Sequence, residues 1–443
     1  MASRRRHLNV LLFFTDQQRW DTVGAYGNPM GLTPNLDRMA ARGTVFQQAF
    51  TPQPVCAPAR GCIQTGLYAS EHGVWRNAIP LHPDTVTIGH RLRVHGYETA
   101  YIGKWHLAGA EHGAVPPDHR TGYDYWLASN TLEYTSRPYD VTMFGSDGQA
   151  VRLPGYRVDA LTDAALAYLE RRSSNKPFFL ILSFIEPHQQ NDLEKLCAPD
   201  GYAARYGNPS YVPWDLVGTG GDWRRELPDY YGMVKRLDEN LGRLLGSLDR
   251  LGLSEDTVVL FFSDHGCHFR TRNGEYKRSP HDSSIRIPLV AQGPGFDRGA
   301  VVSQLVSLID IPPTLLDLAG ASIPAALRGN SLLGLFDERA MRWQRDVFVQ
   351  VSEAEVGRAL RTERWLYAVH APDKVGWKDP ASDRYVEQFL YDLEDDPWQQ
   401  ENLVGSGEHR AVREEMRERL VRRMREAGEP EPRIEPVPTR VVF

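Results

Sequence analysis

Residues 8–17 read LNVLLFFTDQ, an apolar run that ends abruptly in polar side chains. A continuous apolar run of this length, bounded by polar residues, predicts a strand that is covered on both faces of its sheet. The same pattern recurs at residues 99–102, 178–184 and 258–262. Between these runs, residues 156–172 and 230–251 repeat apolar side chains at helical spacing, which predicts amphipathic helices packed on the sheet. The sequence therefore predicts an α/β fold.

The rest of the chain predicts an irregular segment and a small second unit. Residues 187–228 are rich in Gly, Pro, Asn and Asp without clear periodicity, which predicts a long irregular insertion near a site. Beyond residue 338, short alternating runs predict a small antiparallel sheet, and residues 408–427 predict a charged helix. We therefore predict a catalytic domain over residues 1–338 and a small α+β subdomain over residues 339–443.

Composition excludes several classes of protein. The 443 residues carry a modest formal charge of −6 with scattered basic residues, which argues against a nucleic-acid partner. No apolar stretch approaches the roughly 20 residues that a membrane span needs, so we expect no membrane partner. The basic cluster at residues 4–6 and the apolar run after it are too short for a signal peptide and lack a cleavage site. These features predict a cytoplasmic protein.

Two strand ends carry side chains that could bind a metal. Asp16 and Gln17 follow the first apolar run, and Asp264 and His265 follow residues 257–263. Ligands of α/β sheets bind beyond the carboxyl ends of the strands, and this donor set suits Ca²⁺, Mg²⁺ or Mn²⁺. Taken singly, the two aspartates could equally be helix N-caps or turn residues.

Basic side chains follow other predicted strands. Lys104 and His106 stand two residues apart after residues 97–102 and would face one side of an extended chain. His188 follows residues 178–184, and Lys277 lies shortly after Asp264. An isolated lysine is more often solvated, and an isolated histidine is more often structural. Together they could stabilise an anion that leaves an ester and protonate the departing alcohol.

The four cysteines show no CxxC pair and no clustering with histidines, which supports neither a zinc site nor a disulfide framework. Cys56 stands out because it opens the run CAPAR at residues 56–60, followed by Thr65-Gly66. A Cys-x-Pro-x-Arg run of this kind is the substrate of an enzyme that oxidises cysteine to formylglycine. The pentapeptide alone could arise by chance.

The motifs together resemble those of the type I formylglycine-dependent sulfatases of the alkaline phosphatase superfamily. The matching segments run in family order along nearly the whole chain, at residues 16–17, 33–37, 56–60, 96–106, 187–188, 263–266, 391–393 and 396–397. The resemblance implies a large mixed sheet sandwiched by helices, with a small C-terminal antiparallel sheet and a helix. It also implies hydrolysis of a sulfate ester, of a carbohydrate or small metabolite, to alcohol and inorganic sulfate.

The resemblance also implies roles for individual residues of this chain. It implies formylglycine from Cys56, one divalent metal with Ca²⁺ favoured over Mn²⁺ or Mg²⁺, and a formylglycine-generating enzyme as the partner during maturation. A homo-oligomer is compatible with it. The implied catalytic residues are Cys56, Arg60, Lys104, His106, His188 and Lys277. The implied metal ligands are Asp16, Gln17, Cys56, Asp264 and His265.

Two departures keep an alternative open. Many sulfatases have Asp where Gln17 stands, and often Asn where His265 stands. The combination of Asp16-Gln17 with Asp264-His265 also resembles the motifs of the formylglycine-dependent phosphonate monoester and phosphodiester hydrolases, which commonly favour Mn²⁺. Hydrolysis of such esters is therefore the second hypothesis, and a catalytically idle binding protein is the third. We expect residues 189–192 to face the alcohol part of the substrate, together with Glu186, His268, Arg270, Arg272 and His281.

Overall fold

The computed structural model describes residues 8–120, 122–173 and 175–437, which form a large mixed sheet with helices on both faces and a separate small sheet. The strands of the large sheet are β1 (Asn9–Thr15), β2 (Thr44–Phe50), β3 (Glu98–Lys104), β4 (Tyr125–Ser129), β5 (Val141–Gly145), β6 (Ala150–Leu153), β7 (Phe178–Ser183), β8 (Thr257–Ser263), β9 (Arg286–Ile287), β10 (Leu289–Gln292) and β11 (Ala300–Ser307). The strands of the small sheet are β12 (Asp346–Val351), β13 (Gly357–Thr362), β14 (Trp365–His370), β15 (Arg384–Asp392) and β16 (Arg433–Glu435).

Helices of very different lengths connect these strands. The α-helices are α1 (Pro34–Arg42), α2 (Cys56–Thr65), α3 (Ala69–His72), α4 (Ile88–Val94), α5 (Leu132–Thr135), α6 (Arg157–Arg171), α7 (Tyr202–Arg205), α8 (Trp223–Arg250), α9 (Asp282–Ile285), α10 (Ile311–Leu318) and α11 (Arg410–Glu426). Short 3₁₀ segments lie at Trp20–Thr22, Gly24–Tyr26, Pro117–His119, Asn191–Leu193, Ser254–Asp256, Leu308–Asp310, Leu332–Phe336 and Glu338–Arg342. Within the described ranges, no helix combines the length and the apolar character that crossing a bilayer requires.

The centre of the large sheet is parallel, and this arrangement positions the site. The strand order is β11-β2-β10-β8-β1-β7-β3-β4-β5-β6, with β9 paired to β2. Strands β8, β1, β7, β3 and β4 run parallel to one another. Thr15 of β1 pairs with Ser263 of β8, and Gly103 of β3 pairs with Ser183 of β7. The polar residues that follow these four strands therefore emerge at one edge of the sheet.

Helices cover both faces of this sheet because successive side chains of a strand point to opposite faces. Val10 and Leu12 of β1 join a buried cluster with side chains of α2, α4 and α10. Leu11 and Phe13 join another buried cluster with side chains of α1, α6 and α8. The predicted strands lie in β1, β3, β7 and β8, and the predicted helices lie in α6 and α8. The predicted α/β class, with a sandwiched mixed sheet, is confirmed.

One predicted boundary is wrong. We expected the irregular segment to extend to Pro228, whereas α8 begins at Trp223 and contains that proline. Trp223 and Leu227 are buried in one apolar cluster with Tyr230, which anchors the first turns of the helix. Tertiary packing therefore outweighs the helix-breaking tendency of a proline near the helix start.

The small sheet confirms the second unit but not its purely antiparallel pairing. Strands β12 to β15 pair antiparallel, whereas β16 adds to β15 in parallel, because the chain passes through α11 before it returns. Met416 and Leu420 of α11 are buried against one face. Val349 on the other face is buried with Phe50 and Ile285 of the large unit. The domain boundary between residues 338 and 339 stays a prediction.

Candidate active site

The polar pairs that follow β1 and β8 lie together at the edge of the sheet. The Gln17 backbone N–H donates to Asp264 Oδ1 at 3.0 Å. His265 Nε2 lies 3.6 Å from Asp16 Oδ1 and 3.5 Å from Asp264 Oδ1. All four side chains are fully buried. The parallel register of β1 and β8 thus brings together the four residues that the sequence suggested as metal ligands.

Cys56 reaches the same point from α2, where it is the first helical residue. Lys277 Nζ donates to Cys56 Sγ at 2.8 Å, His265 Nε2 lies 3.3 Å from this sulfur, and Asp16 Oδ1 lies 3.6 Å away. One ligand atom from each of Asp16, Cys56, Asp264 and His265 falls within a span of 4.8 Å. Residue 56 therefore occupies the centre of the cluster.

The donor atoms of this cluster fit a divalent cation. Gln17 Nε2 donates to Gln189 Oε1 at 2.9 Å, and Gln17 Oε1 is buried without a hydrogen-bond partner among the described residues. Burial, and next the charge of Asp16, raises the pKa of Asp264 to about 7. Arg60 Nε lies 3.4 Å from Asp264 Oδ2, and this oxygen has no hydrogen-bond partner among the described residues. A cation that prefers oxygen ligands and accepts one imidazole would satisfy both this oxygen and Gln17 Oε1.

Two buried cations hold Asp16 from the other side. Arg60 Nη2 donates to Asp16 Oδ2 at 3.0 Å and Lys104 Nζ donates to the same oxygen at 2.9 Å. Arg60 Nη1 also donates to Lys104 O and to Ser183 Oγ, which ties α2 to the ends of β3 and β7. Burial is the largest influence on Asp16 and acts to raise its pKa, but the nearby cations, with Lys104 foremost, hold that pKa well below its usual range.

Lys104 has a second partner that the sequence did not suggest. Its Nζ donates to Glu133 Oε1 at 3.0 Å, and both side chains are buried. Glu133 lies in α5, directly beyond β4, whose Ser129 pairs with Lys104. Burial acts to raise the pKa of Glu133, but nearby groups, with the charge of Lys104 foremost, together lower it. Lys104 is therefore a buried ammonium between two carboxylates.

Lys277 places a further cation against the sulfur of residue 56. Its Nζ also lies 3.1 Å from His265 Nε2, and its backbone carbonyl lies 3.0 Å from His268 Nε2. Burial and the charge of Asp16 act to raise the pKa of the Cys56 thiol, but the charges of Lys104 and Lys277 and a hydrogen bond with His188 together lower it. The environment of residue 56 therefore favours a negatively charged group.

The two candidate proton-transfer histidines are neutral in this environment. Burial and then the charge of Lys104 lower the pKa of His106 to about 3, and His106 Nδ1 finds no hydrogen-bond partner in the part of the chain that the structure describes. Burial and then Lys277 lower the pKa of His188, whose Nδ1 lies 2.7 Å from Gln189 O. A neutral imidazole can accept a proton.

The backbone is not extended at His106. Strand β3 ends at Lys104, and His106 adopts a left-handed conformation with φ of 62°. Lys104 and His106 would face one side only if the chain were extended between them, and this condition is not met. The His106 backbone N–H donates to Asn130 O at 2.7 Å, which directs this turn towards β4.

Some of these groups, including Cys56, His106 and Lys277, line a cavity of about 270 Å³. Its lining residues are Cys56, Asn77, His106, Glu133, Tyr134, His188, Gln189, Asn191, Glu194, Arg270, Glu275, Tyr276, Lys277 and Arg278. Of the residues that we expected to face the substrate's alcohol part, Gln189, Asn191 and Arg270 line this cavity. The lining is almost entirely polar, so the cavity can bind a hydrophilic ligand.

For three other residues the same expectation is wrong. Glu186 Oε1 accepts a hydrogen bond from Arg157 Nε at 2.8 Å, so its carboxylate forms a buried ion pair with Arg157. His268 contacts the Lys277 backbone, and His281 Nε2 lies 3.2 Å from Tyr391 OH. Sequence reasoning missed Glu133, Asn77 and Tyr134. A carboxylate soon after the apolar end of β4 was the one signal that could have pointed to Glu133.

Comparisons with known proteins show which chains this one is similar to. The family model described as sulfatase matches residues 8–321, and the model described as N-sulphoglucosamine sulphohydrolase, C-terminal, matches residues 274–426. The chain is 31% identical to an ulvan-active sulfatase of Formosa agariphila, over 95% of this chain and 82% of that protein. It is 29% identical to an arylsulfatase of Clostridium perfringens, over 95% of each chain.

Solved structures share the fold. One, in complex with its substrate D-glucosamine-2-N,6-O-disulfate, superposes with a TM-score of 0.79 at 23% identity, over 97% of this chain and 99% of that chain. The phosphonate monoester hydrolase of Agrobacterium radiobacter superposes with a TM-score of 0.74 at 23% identity, over 95% of this chain and 96% of that chain. At this identity the likeness establishes the common architecture.

Proposed function

Because the chain belongs to the sulfatase family, we propose that it hydrolyses the sulfate ester of a carbohydrate or small metabolite to the alcohol and inorganic sulfate. The observation that carries this proposal is the position of Cys56, whose sulfur meets Lys277, His265 and Asp16 at the inner end of a polar cavity. The names of two similar proteins, one acting on ulvan and one on a glucosamine disulfate, support a carbohydrate as the alcohol part.

We assign the nucleophile to residue 56 after oxidation of Cys56 to formylglycine by a formylglycine-generating enzyme. In the hydrated form, one hydroxyl group of residue 56 ionises and its proton passes to solvent. The resulting oxygen anion attacks sulfur while the bond between sulfur and the alcohol oxygen breaks. Lys277, which lines the cavity, gives the departing oxygen its proton. His188, which lines the same cavity, is the second candidate for this role and would first have to gain a proton in the field of the bound anionic ester. Lys277 already contacts residue 56 at 2.8 Å, so it is also placed to neutralise charge on the bound sulfate.

We assign the second half of the reaction to His106. As a neutral imidazole with an unpaired ring nitrogen, it can take the proton of the remaining hydroxyl of residue 56. The electron pair released forms the aldehyde again, the carbon–oxygen bond to sulfate breaks, and water restores the hydrate. A serine has no second hydroxyl and could not release sulfate in this way.

Asp16, Gln17, Asp264 and His265, with residue 56, would hold the divalent cation, which when bound supplies Lewis-acid polarisation of the nucleophile and of the sulfate oxygens. We propose Ca²⁺, with Mn²⁺ and Mg²⁺ as alternatives. Arg60 and Lys104 act from behind this group, because both donate to Asp16 Oδ2. They fix the orientation of Asp16 and add positive charge beneath the cavity.

A mass measurement and a turnover measurement test the proposal. In active protein, the peptide that contains residue 56 should be lighter than the same peptide with cysteine, by the mass difference between a thiol-bearing methylene and an aldehyde group. Cys56→Ala should abolish release of sulfate from phenyl sulfate, whereas Cys197→Ala, at a partly exposed cysteine, should retain it. Active protein in which Cys56 is unmodified would contradict the assignment of formylglycine as the nucleophile.

Hydrolysis of phosphonate monoesters or phosphodiesters is the second candidate. It is favoured by His265, whose Nε2 stands among the candidate metal ligands where an oxygen ligand is more usual, a set that suits Mn²⁺. The two candidates are ranked by kcat/KM on phenyl sulfate, phenyl methylphosphonate and bis(4-nitrophenyl) phosphate. A preference of about tenfold or more for either phosphorus ester would replace sulfate hydrolysis as the proposed function.

A further inference from the structure

Glu133 lines the cavity that contains Cys56, His106 and His188, yet the proposed reaction gives it no role. Its side chain is only 2% exposed. Oε1 accepts from Lys104 Nζ at 3.0 Å, whereas Oε2 has no hydrogen-bond partner anywhere in the described ranges of the chain. A buried carboxylate oxygen without a donor is costly, and in a ligand cavity it is a vacant acceptor position.

The structure holds this carboxylate firmly in place. Gln190 Nε2 donates to Glu133 O at 2.7 Å and to Ser136 O at 3.0 Å. Arg157 Nη1 donates to Ser136 O and to Gln190 Oε1. The short helix α5 is therefore clamped by two buried side chains. Because its supports are rigid, Oε2 is preorganised for one direction of approach.

The charges around Glu133 restrict what can bind there. Lys104 lowers its pKa despite burial, so the group is an ionised carboxylate that accepts hydrogen bonds and donates none. It repels a second anionic substituent and attracts a hydroxyl or an ammonium group. Cys56 and His106 line the same small cavity, so such a donor would lie close to the sulfated oxygen of a bound substrate.

On the basis of the proposed function, we propose that Glu133 is a specificity residue. Its Oε2 accepts a hydrogen bond from a donor on the carbon next to the sulfated carbon of the substrate's alcohol part. The preferred substrates are therefore vicinal hydroxy or amino sulfates, as found on sugar rings, rather than sulfates of simple alcohols or phenols.

Three aryl sulfates isolate this hydrogen bond. Phenyl sulfate has no ortho substituent, catechol monosulfate has an ortho hydroxyl donor, and guaiacol sulfate has an ortho methoxy group of similar size that cannot donate. Wild-type enzyme with formylglycine confirmed at residue 56 should show a kcat/KM at least about tenfold higher for catechol monosulfate than for guaiacol sulfate, as for a hydrogen bond to an ionised group. Released sulfate is the readout.

Glu133→Gln should abolish this preference, because it removes the charged acceptor with little change of shape. Glu170→Gln, at an exposed position on α6, is the matched control and should leave it unchanged. A role of Glu133 confined to holding Lys104 predicts instead that Glu133→Gln slows all three esters by one common factor, which would overturn the inference.

The wild-type measurement decides the question even where the variant does not fold. Equal kcat/KM for catechol monosulfate and guaiacol sulfate, within about threefold, would overturn the inference while leaving sulfate hydrolysis intact. Turnover of none of the three sulfates by enzyme with confirmed formylglycine would overturn the proposed function, and this inference with it.

Discussion

Replacing Lys104 by alanine should destabilise the protein through the two carboxylates that it leaves behind. Lys104 Nζ lies 2.9 Å from Asp16 Oδ2 and 3.0 Å from Glu133 Oε1, and all three side chains are buried. Breaking a buried ion pair by removing one partner costs about 3–5 kcal/mol in the free energy of unfolding. Asp16 keeps Arg60, whereas Glu133 Oε1 loses the one donor that the structure gives it.

Calorimetry can measure this loss. An unfolding entropy of roughly 2.1 cal/mol/K per residue makes 1 kcal/mol equivalent to about 1 °C for a chain of 443 residues, so Tm should fall by about 3–5 °C. Lys176→Ala removes an exposed lysine and should change the free energy by no more than about 0.5 kcal/mol. The two variants are compared in one buffer at pH 7.

A second variant tests the cause. Adding Glu133→Gln to Lys104→Ala removes the uncompensated charge and should restore at least about 1 kcal/mol, a coupling expected for side chains in direct contact. The reasoning is refuted if Lys104→Ala is no less stable than Lys176→Ala, or if Glu133→Gln costs as much in the Lys104→Ala background as in the wild type.

Four further predictions concern the chemistry, the pH dependence and, in two cases, the metal. His106→Ala should let the sulfated form of residue 56 accumulate, and an intact mass without the added sulfate would contradict its role as base. The pKa of Glu133 is lower in the folded protein than its unfolded value of about 4.5, so ionised Glu133 stabilises the folded state above that pH. This stabilisation is lost progressively as the pH falls below the unfolded pKa. The Tm of wild type should therefore exceed that of Glu133→Gln by less at pH 3 than at pH 6. Chelation should lower Tm and activity, with recovery on adding Ca²⁺. Gln17→Glu should tighten Ca²⁺ binding in calorimetric titration, unlike Gln149→Glu at an exposed turn, and unchanged affinity would argue against Gln17 as a ligand.

The part of the site that could be predicted from the sequence is the part built on parallel strands. Asp16 and Asp264 follow long apolar runs, and adjacent parallel strands end at one edge, so their proximity follows from sheet geometry. Lys104 was found for the same reason, because β3 ends beside β7. The expectation that Cys56 is the precursor of the nucleophile came from the resemblance to a family, because hydrophobic periodicity does not distinguish Cys56 from the other cysteines.

The remainder depends on tertiary contacts that short-range patterns do not encode. Glu133 belongs to a four-residue helix whose position is set by Gln190 and Arg157, far away in sequence. His281 contacts Tyr391, 110 residues further along the chain, and no pattern around His281 indicates this contact. Pro228 is another such case, since packing of α8 against the aromatic cluster outweighs its local preference.

The burial of α2 constrains when residue 56 can be modified. Every residue of Cys56–Thr65 is buried, and Cys56 itself is only 1% exposed, so an oxidising enzyme could not reach the thiol in the folded protein. On the proposed mechanism, the chain must therefore meet that enzyme before it folds. His265 and Lys277, which close over the sulfur, leave the ribosome about 200 residues after Cys56, which is roughly 10–40 s at ordinary rates of synthesis. If residue 56 is oxidised as proposed, oxidation competes with folding for a short-lived nascent segment. The active fraction of a preparation is then set by the relative rates of oxidation and folding rather than by the stability of the finished enzyme.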